Sequence, residues 1–523
     1  MTLTDVAAAA GIVFTHRNGA SPEKHMPETM GSGLAWLDFD QDGWMDLYVV
    51  QSGSFPPDGS AAAANRLYRN RGDGSFEDVT ERAGVGDRGY GQGAVAADVN
   101  GDGLTDLFVC NFGPNALYLN RGAGRFENAT ARAGVGLEGW SSSAAFADAD
   151  RDGDLDLYVA RYIEYDPAVK LYCGRPDLGR RDYCDPSMFR GAGNRYYRNR
   201  GDGSFEAATG PSGLLENGGR SLGVLFTDLD ADGWPDIYVA NDLTFNYLYR
   251  NRGDGTFEDM SLLSGAAVNR DGKVEAGMGV AAGDLDGDGD PDLVVTNFDL
   301  ELNAFYQNLG ALMFDDVSAP SGFGPPSFNL LGFGVVLADL DRDADLDALV
   351  VNGHILDHPL RESVSREQRP LLLLGDGKGH FQAQRCGPVF ERVGLGRGLA
   401  GADYDNDGDL DLAVVNNGGP LQLLRNDGAG GSWLGLKLVG HGPNTGAIGA
   451  RATLVTEKSR QTRWVLAGDS YQSSSDPRVL FGLASDDRAR RLEILWPRGS
   501  TSVLEAVELG HYFELREEVS RSR

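Results

Sequence analysis

Residues 223–241 read GVLFTDLDADGWPDIYVAN. An apolar run enters a loop of aspartates and glycine, and a second apolar run leaves it. The loop fits D-x-[DN]-x-D-[GA]-x-x-D. Seven copies begin at Asp38, Asp98, Asp148, Asp228, Asp284, Asp339 and Asp403, at intervals of 60, 50, 80, 56, 55 and 64 residues. The flanking runs (GAVAAD, SAAFAD and GVVLAD before, DLFVCN, DLYVAR and DLVVTN after) are short, rich in Val, Leu and aromatics, and bounded by Gly and Asp. That pattern predicts buried strands.

A second block recurs between the loops. It reads NRLYRNRGDGSFEDVTERAG at 65–84, NALYLNRGAGRFENATARAG at 115–134, NRYYRNRGDGSFEAATGPSG at 194–213 and NYLYRNRGDGTFEDMSLLSG at 246–265, with a looser copy at 303–322. Two short strands around a Gly-Asp-Gly turn make a hairpin. Each repeat therefore has four strands, a, b, c and d, with the acidic loop between a and b. Seven four-stranded units of this size predict an all-β, seven-bladed β-propeller. The last unit lacks its d strand, and the missing pattern stands at the N-terminus as Thr4-Asp5-Val6 through Ala10-Gly11. The first strand is expected to complete the last blade and close the ring. The propeller is assigned to 1–428. From 429 to 523 the acidic loops stop, and WLGLKLVG, ARATLVTE, RVLFGL, RLEILW and HYFELRE predict a small sandwich- or barrel-like β-domain.

Charge separates the two parts. The 523 residues carry 77 acids and 47 bases, a net charge of −30. Residues 429–523 hold 13 bases and 11 acids, or +2, which leaves −32 on the propeller. Such a polyanion is a poor ligand for nucleic acid or an anionic membrane. No apolar run approaches the ~20 residues that span a bilayer. The first 20 residues lack a basic segment followed by an apolar one, so no secretion signal is read there. Four cysteines exclude a disulfide scaffold.

Positions 1, 3, 5 and 9 of the acidic pattern converge if Gly at position 6 turns the chain, and position 7 offers a carbonyl. Hard oxygens in a flexible loop suit Ca²⁺ better than Mg²⁺, and without His or Cys they do not suit Zn²⁺ or Cu²⁺. The expected ligands are Asp38, Asp40, Asp42 and Asp46; Asp98, Asn100, Asp102 and Asp106; Asp148, Asp150, Asp152 and Asp156; and Asp228, Asp230, Asp232 and Asp236. The later loops supply Asp284, Asp286, Asp288 and Asp292; Asp339, Asp341, Asp343 and Asp347; and Asp403, Asp405, Asp407 and Asp411. Up to seven Ca²⁺, mainly structural, are expected. An EF-hand needs an acid at position 12; here that position is Val49, Val109, Val159, Val239, Val295, Val350 or Val414. Without metal, crowded carboxylates repel by ~1 kcal/mol per pair even at the dielectric of water. The sixth loop departs from the pattern, with Ala344 in place of the turn glycine.

Propeller geometry puts the a–b loops on one face and the b–c and d–a connectors on the other. The irregular inserts 51–64, 161–193 and 352–369 fall mostly on the second face, where ligands of a rigid scaffold tend to bind. Cys173 and Cys184 lie in one insert as a candidate disulfide. His354 and His358, in NGHILDHP, are spaced as a helical metal pair, a reading that Pro359 weakens. Glu28, Arg220, Asp242 and Glu275, with His354 and His358, are the candidates for proton transfer near the axis, beside His25, Trp140 and Asn241. Arg-Gly-Asp at 71–73, 200–202 and 252–254 falls each time in the c–d turn, so turn chemistry accounts for it. Asn128-Ala129-Thr130 is a formal glycosylation sequon. No G-x-S-x-G, H-E-x-x-H or Walker A motif is present.

The acidic loops, within G-x-x-x-x-D-x-[DN]-x-D-G-x-x-D-[LI], resemble FG-GAP/VCBS-type repeats. Asn444-Thr445-Gly446-Ala447-Ile448-Gly449-Ala450-Arg451, Gly468-Asp469-Ser470-Tyr471-Gln472-Ser473, Phe481-Gly482-Leu483 and Trp496-Pro497-Arg498-Gly499 look like an ASPIC/UnbV domain. The chain thus resembles the cartilage acidic protein/UnbV family over essentially its full length. That resemblance implies either a secreted, matrix-type binding protein or a protein of natural-product pathways. The first expectation is a calcium-stabilised binding module in an extracytoplasmic setting, with a protein, glycan or small molecule on the insert face. The alternative is a cyclase or isomerase acting on a polyketide- or terpenoid-like intermediate in an axial pocket.

Overall fold

The computed structural model describes every residue except 59–63, 176, 178, 216–217, 360, 362, 429–430, 485–487, 506 and 519–523. The junction at 429 and parts of the inserts 51–64, 161–193 and 352–369 lie outside the described residues.

Each acidic repeat forms one four-stranded antiparallel sheet, seven in all among the described residues. In the fourth, strand a is Ser221–Thr227, b is Asp236–Asn241, c is Tyr247–Asn251 and d is Phe257–Asp259. Its two faces enter different cores. Val224, Phe226, Ile237 and Tyr249 pack with Ala145, Tyr158 and Tyr196 of the third sheet. Leu225, Tyr238 and Leu248 pack with Val280, Leu293 and Tyr306 of the fifth. Burial on both faces is why these strands read as continuous apolar runs. The seventh sheet takes its d strand from the N-terminus, Leu3–Asp5, with Leu3 opposite Asn426, Thr4 opposite Arg425 and Asp5 opposite Leu424. Consecutive a strands pack on one another, and that of the seventh sheet, Gly396–Ala402, packs on that of the first, Leu34–Leu37.

One hydrogen-bond relay links loop, sheet and neighbouring sheet. The ninth aspartate of each loop opens strand b. Asp236 Oδ1 accepts from Asn251 N at the end of strand c (2.8 Å), and its Oδ2 from Leu229 N in the loop (3.0 Å). Asn251 Nδ2 then donates to Ala149 O in the acidic loop of the preceding sheet (2.8 Å). The same hook runs from Asn120 to Phe39 O, Asn199 to Val99 O, Asn308 to Leu229 O and Asn426 to Leu340 O, each at 2.8 Å. Asn70 of the first sheet hooks Tyr404 O of the seventh at 2.8 Å. In the sixth sheet Gly375 replaces the asparagine, and Gly379 N reaches Leu285 O instead (2.9 Å).

The C-terminal residues form two further sheets. In one, Ser432–Val439 lies between Val479–Leu483 and Tyr512–Arg516; the other has the order Arg460–Trp464, Arg451–Thr456, Ala489–Leu495, Thr501–Leu504. Leu434, Leu454, Phe481, Ile494 and Trp496 are in its core. The insert at 161–193 carries a hairpin, Cys173–Arg175 with Arg180–Asp182, and Cys173 is disulfide-bonded to Cys184. The Arg-Gly-Asp segments are tight turns, where Asp73, Asp202 and Asp254 each accept from an amide two residues on.

Two substitutions check this account by thermal and urea unfolding. Asn251→Ala removes donors to two buried carbonyls, Ala149 O and Pro235 O, and is expected to destabilise by about 1–3 kcal/mol. Ala344 is held at φ +88°, so Ala344→Gly is expected to stabilise by about 1 kcal/mol.

Candidate functional site

Whether the acidic loops suit a cation is read from their oxygens. Asp38, Asp40 and Asp42 bring carboxylate oxygens within 4.8 Å of one another, as do Asp148, Asp150 and Asp152; Asp228, Asp230 and Asp236; Asp284, Asp286 and Asp288; and Asp339, Asp341 and Asp347. The turn amide at position 6 points at the first aspartate, as in Gly43 N to Asp38 Oδ2 (3.2 Å) and Gly408 N to Asp403 Oδ2 (2.9 Å). Ala344 keeps that bond to Asp339 at 3.0 Å despite its strained backbone. Several buried oxygens have no hydrogen-bond partner: Asp40 Oδ1, both oxygens of Asp148, Asp228 Oδ1, Asp341 Oδ1 and Asp405 Oδ1. Burial without a counter-charge pushes the ninth aspartates up, Asp46 to about 9 and Asp106, Asp156, Asp292 and Asp347 to about 8. Asp236 and Asp411 are raised by the same cause. Arginines of strand c supply part of the missing charge: Arg69 reaches Asp40 at 2.5 Å and Asp42 at 2.8 Å, and Arg250 reaches Asp230 at 3.1 Å. Converging oxygens, some buried and unpartnered, fit a hard divalent cation. In the second loop Asn100 contributes an amide oxygen that also accepts from Asp102 N.

The proton-transfer candidates other than His358 are engaged by their own neighbours. Glu28 is fully buried and accepts from Ser21 Oγ (2.7 Å) and Tyr183 OH (3.2 Å). Tyr162 OH donates to Asp242 Oδ2 at 2.5 Å, and burial raises Asp242 to about 6. Glu275 accepts from Asn269 and Asn297 and is raised to about 7 by burial. Buried His354 takes the Leu356 amide on Nδ1, so its Nε2 donates to Asp299 (3.3 Å), while His358 is exposed. Residues 354–358 are not helical, and the two rings do not form the helical pair that the spacing suggested. Among the described contacts of these six residues, Arg220 and Asp242 touch, the Asp242 amide donating to Arg220 O at 2.8 Å and Arg220 Nη1 to the Asp242 carbonyl at 3.5 Å.

A Ser–His pair that the sequence reading missed lies nearby. His16 Nε2 is 3.0 Å from Ser52 Oγ. Its chemistry is not that of a nucleophile and base. His16 Nδ1 accepts from Gly418 N (3.1 Å), so Nε2 carries the proton and donates to Ser52, whose hydroxyl donates to Gly91 O (2.8 Å). Burial, with Arg397 nearby, pushes His16 down to about 3 and keeps it neutral.

The C-terminal part bonds six of the seven a strands. Residues 465–476 run against the inner edges of the a strands. Ala467 O accepts from Phe146 N (2.9 Å), Ser470 exchanges bonds with Val280 (2.8 and 3.0 Å), Gln472 O accepts from Ala94 N (3.2 Å), Ser474 bonds Leu34 O and Trp36 N (2.9 and 3.0 Å), and Asp476 N donates to Gly401 O (2.9 Å). Val335 N donates to Ser470 Oγ at 3.0 Å. Tyr471, at the tip, is buried against Phe333, Trp140, Leu222 and Met278, with its hydroxyl on Met30 O (3.2 Å). Glycines make room: a Cβ on Gly33 would fall on the Gln472 carbonyl, and one on Gly93 would lie 2.9 Å from it. The same module meets the acidic loops at Asp38, Asp98 and Asp403. Thr445 Oγ1 meets Asp98 at 2.5 Å, Tyr512 OH meets Asp403 at 2.9 Å, Lys437 lies 3.6 Å from Asp38, and Arg478 donates to Asp403 O at 2.7 Å.

A sequence profile described as FG-GAP-like repeat matches residues 38–109, 98–159, 179–239, 228–295 and 284–350, more than half of the chain, and one described as ASPIC and UnbV matches 440–522. The chain belongs to the FG-GAP-repeat, ASPIC/UnbV family. Cartilage acidic protein 1 of Homo sapiens is 30% identical over 293 residues, 54% of this chain and 41% of that protein. Its counterpart in Xenopus tropicalis is 29% identical over 279 residues, 50% and 40% of the two chains. The chain thus spans less than half the length of these relatives. A lectin from Burkholderia pseudomallei aligns with a TM-score of 0.47 at 10% identity, over 76% of this chain and 95% of the lectin. Within this ASPIC/UnbV chain, Gly468–Ser473 lies in the segment that bonds the a strands.

The position of Tyr471 yields a test. Tyr471→Ala removes a fully buried ring from the tip and is expected to destabilise the chain by about 3–5 kcal/mol. Limited proteolysis is expected to release the C-terminal module from this variant faster than from the parent.

Proposed function

We propose that this chain is a calcium-stabilised, closed seven-bladed propeller that acts as a binding protein, with its ligand face opposite the acidic loops. Ca²⁺ would be held by the first, third, fifth and ninth residues of each loop, where it would neutralise the carboxylates and fix the loop. The buried, unpartnered oxygens of Asp40, Asp148, Asp228, Asp341 and Asp405 carry this reading. The packing of the seventh a strand on the first and the hook from Asn70 to Tyr404 O support closure.

Occupation of the axis by 465–476 favours a binding module over a cyclase or isomerase. An enzyme of that kind needs an enclosed pocket with converging acid and base groups, and Glu28, Glu275 and His354 are each bonded to neighbours outside the candidate set. The insert face instead exposes Val169, Tyr172, Met188 and Phe245, apolar side chains of the sort that anchor partners. The Cys173–Cys184 disulfide, together with the calcium loops, supports an extracytoplasmic setting.

Two measurements test the proposal. Chelation with EGTA is expected to lower the melting temperature by on the order of 10 °C, and elemental analysis is expected to find up to seven Ca²⁺ per chain, one fewer in Asp148→Asn. Unchanged melting and no metal lost on chelation would refute calcium stabilisation. On an array of glycans and extracellular proteins, the double variant Tyr172→Ala, Met188→Ala is expected to lose signal at least tenfold on whichever spots the parent binds. Equal signal would move the ligand face elsewhere.

A further inference from the structure

The fourth position of each acidic loop lies outside the ligand set, between the third and fifth residues. Gln41, Arg151, Arg342 and Asn406 hold φ between +57° and +60° there. Glycine would adopt that backbone without strain. Four of the loops nonetheless place a side chain with an N–H donor at this point, and in each case the donor leaves its own loop.

All four donate to the same kind of atom, the carbonyl of position 6 in the next acidic loop. Gln41 Nε2 meets Gly103 O at 2.5 Å, Arg342 Nε meets Gly408 O at 3.2 Å, and Asn406 Nδ2 meets Gly43 O at 3.2 Å. Arg151 Nη2 meets Gly233 O, with its guanidinium 4.2 Å from the centre of the Trp234 ring. The bond from Asn406 joins the last loop to the first.

The peptide that receives each bond also serves the next loop. Its N–H, at position 7, donates to the carboxylate at position 5. Leu104 N reaches Asp102 Oδ1, Trp234 N reaches Asp232 Oδ1 and Asp409 N reaches Asp407 Oδ1, each at 2.9 Å, and Trp44 N reaches Asp42 Oδ1 at 3.0 Å. One peptide plane thus joins the fourth residue of one loop to an expected cation ligand of the next. A carbonyl that accepts a hydrogen bond polarises its own peptide and strengthens the N–H as a donor. Three loops break the series, because Gly101 and Gly287 have no side chain and Ala231 has no donor. The bonds therefore run from the sixth loop through the seventh and first to the second, and separately from the third to the fourth.

Resting on the reading of these loops as calcium sites, we propose that Gln41, Arg151, Arg342 and Asn406 are positioning residues that couple cation binding between neighbouring loops. A cation in one loop draws positions 3 and 5 together and fixes the residue between them. That residue holds the peptide that orients the fifth carboxylate of the next loop. The second cation then meets a loop already partly ordered, so binding is cooperative within each linked series.

The test is terbium luminescence of the full chain, freed of metal by chelation and excited through tryptophan. Trp44 stands at position 7 of the first loop, so the part of the signal that Trp44→Phe removes reports that loop. Gln41→Ala is expected to raise the terbium midpoint of that signal about fivefold or more, within the usual range of coupling between sites. The variant is expected to fold, because Gln41 is exposed and Ala231 holds the same position at φ +59°. Asp102→Asn weakens the second loop and leaves the first loop all its ligands. It is expected to raise the same midpoint, and the two changes together are expected to do no more than the larger of them alone. An unchanged midpoint in Gln41→Ala overturns the coupling. So does a shift from Asp102→Asn that persists in full beside Gln41→Ala, which would assign the effect to charge. A parent that takes up neither calcium nor terbium fails the calcium reading and the coupling with it. A parent that binds both and gives either of the two earlier results loses the coupling alone.

Discussion

The ninth aspartate of each acidic loop is a buried carboxylate, and in six of the seven it is caught between two backbone amides, one from its own loop and one from the end of strand c; Asp156 takes the Tyr196 hydroxyl in place of the loop amide. That pair of bonds fixes where the c strand stops, and so fixes the asparagine that reaches back to the preceding sheet. Asp236, Asn251 and Ala149 O make one such relay. Sheets in this chain are thus joined by more than the contact of apolar faces. Six of them carry an asparagine link of 2.8 Å to a neighbour, and the sixth sheet uses the Gly379 amide at 2.9 Å. Apolar packing alone tolerates sliding; a buried asparagine that would lose its acceptor does not.

The same carboxylate creates a charge problem. Two amide dipoles only partly offset the cost of burying an anion, which is why Asp46 and Asp347 sit so far above the ordinary carboxylate range. The strand-c arginines Arg69, Arg198 and Arg250 approach the third aspartate but leave oxygens such as Asp40 Oδ1 and Asp228 Oδ1 unpartnered. A divalent cation, as proposed, would offset the remainder at the place where the oxygens converge. The relay and the cation would then depend on each other: the relay orients the oxygens, and the cation makes their burial tolerable.

Much of this was legible in the sequence. The apolar runs, the Gly-Asp-Gly hairpins and the displaced N-terminal strand follow from periodicity, because strands buried on two faces must be apolar throughout and turns with positive φ need glycine. Cys173 and Cys184 stood out by their place in one insert. The asparagine hooks did not stand out, because Asn70, Asn120 and Asn251 precede a turn and read as turn residues. Nor did the axial segment. Gly468–Ser473 has no amphipathic period, and its partners are mostly backbone groups of a strands, which any sequence supplies. A signal did exist in Gly91-Gln92-Gly93, Gly332-Phe333-Gly334 and Gly396-Arg397-Gly398, at the start of three a strands. Alternate glycines there mark backbone that something else approaches closely.

The bonds from 465–476 to the a strands also explain why so small a C-terminal module belongs with so large a repeat unit. Each a strand is an edge strand of its sheet, and the amides and carbonyls on that edge are costly if they are buried without partners. Residues 465–476 supply the missing partners on six of the seven a strands. Outside the channel, the module's basic and hydroxyl side chains, Lys437, Thr445, Arg478 and Tyr512, meet the first aspartates of three acidic loops or their carbonyls. A +2 module therefore lies against a −32 partner at the points of highest negative charge. The two parts are not a propeller with an appended domain. The module completes the hydrogen bonding of the a strands and meets three of the acidic loops, so its loss would leave buried polar groups that the rest of the chain cannot satisfy.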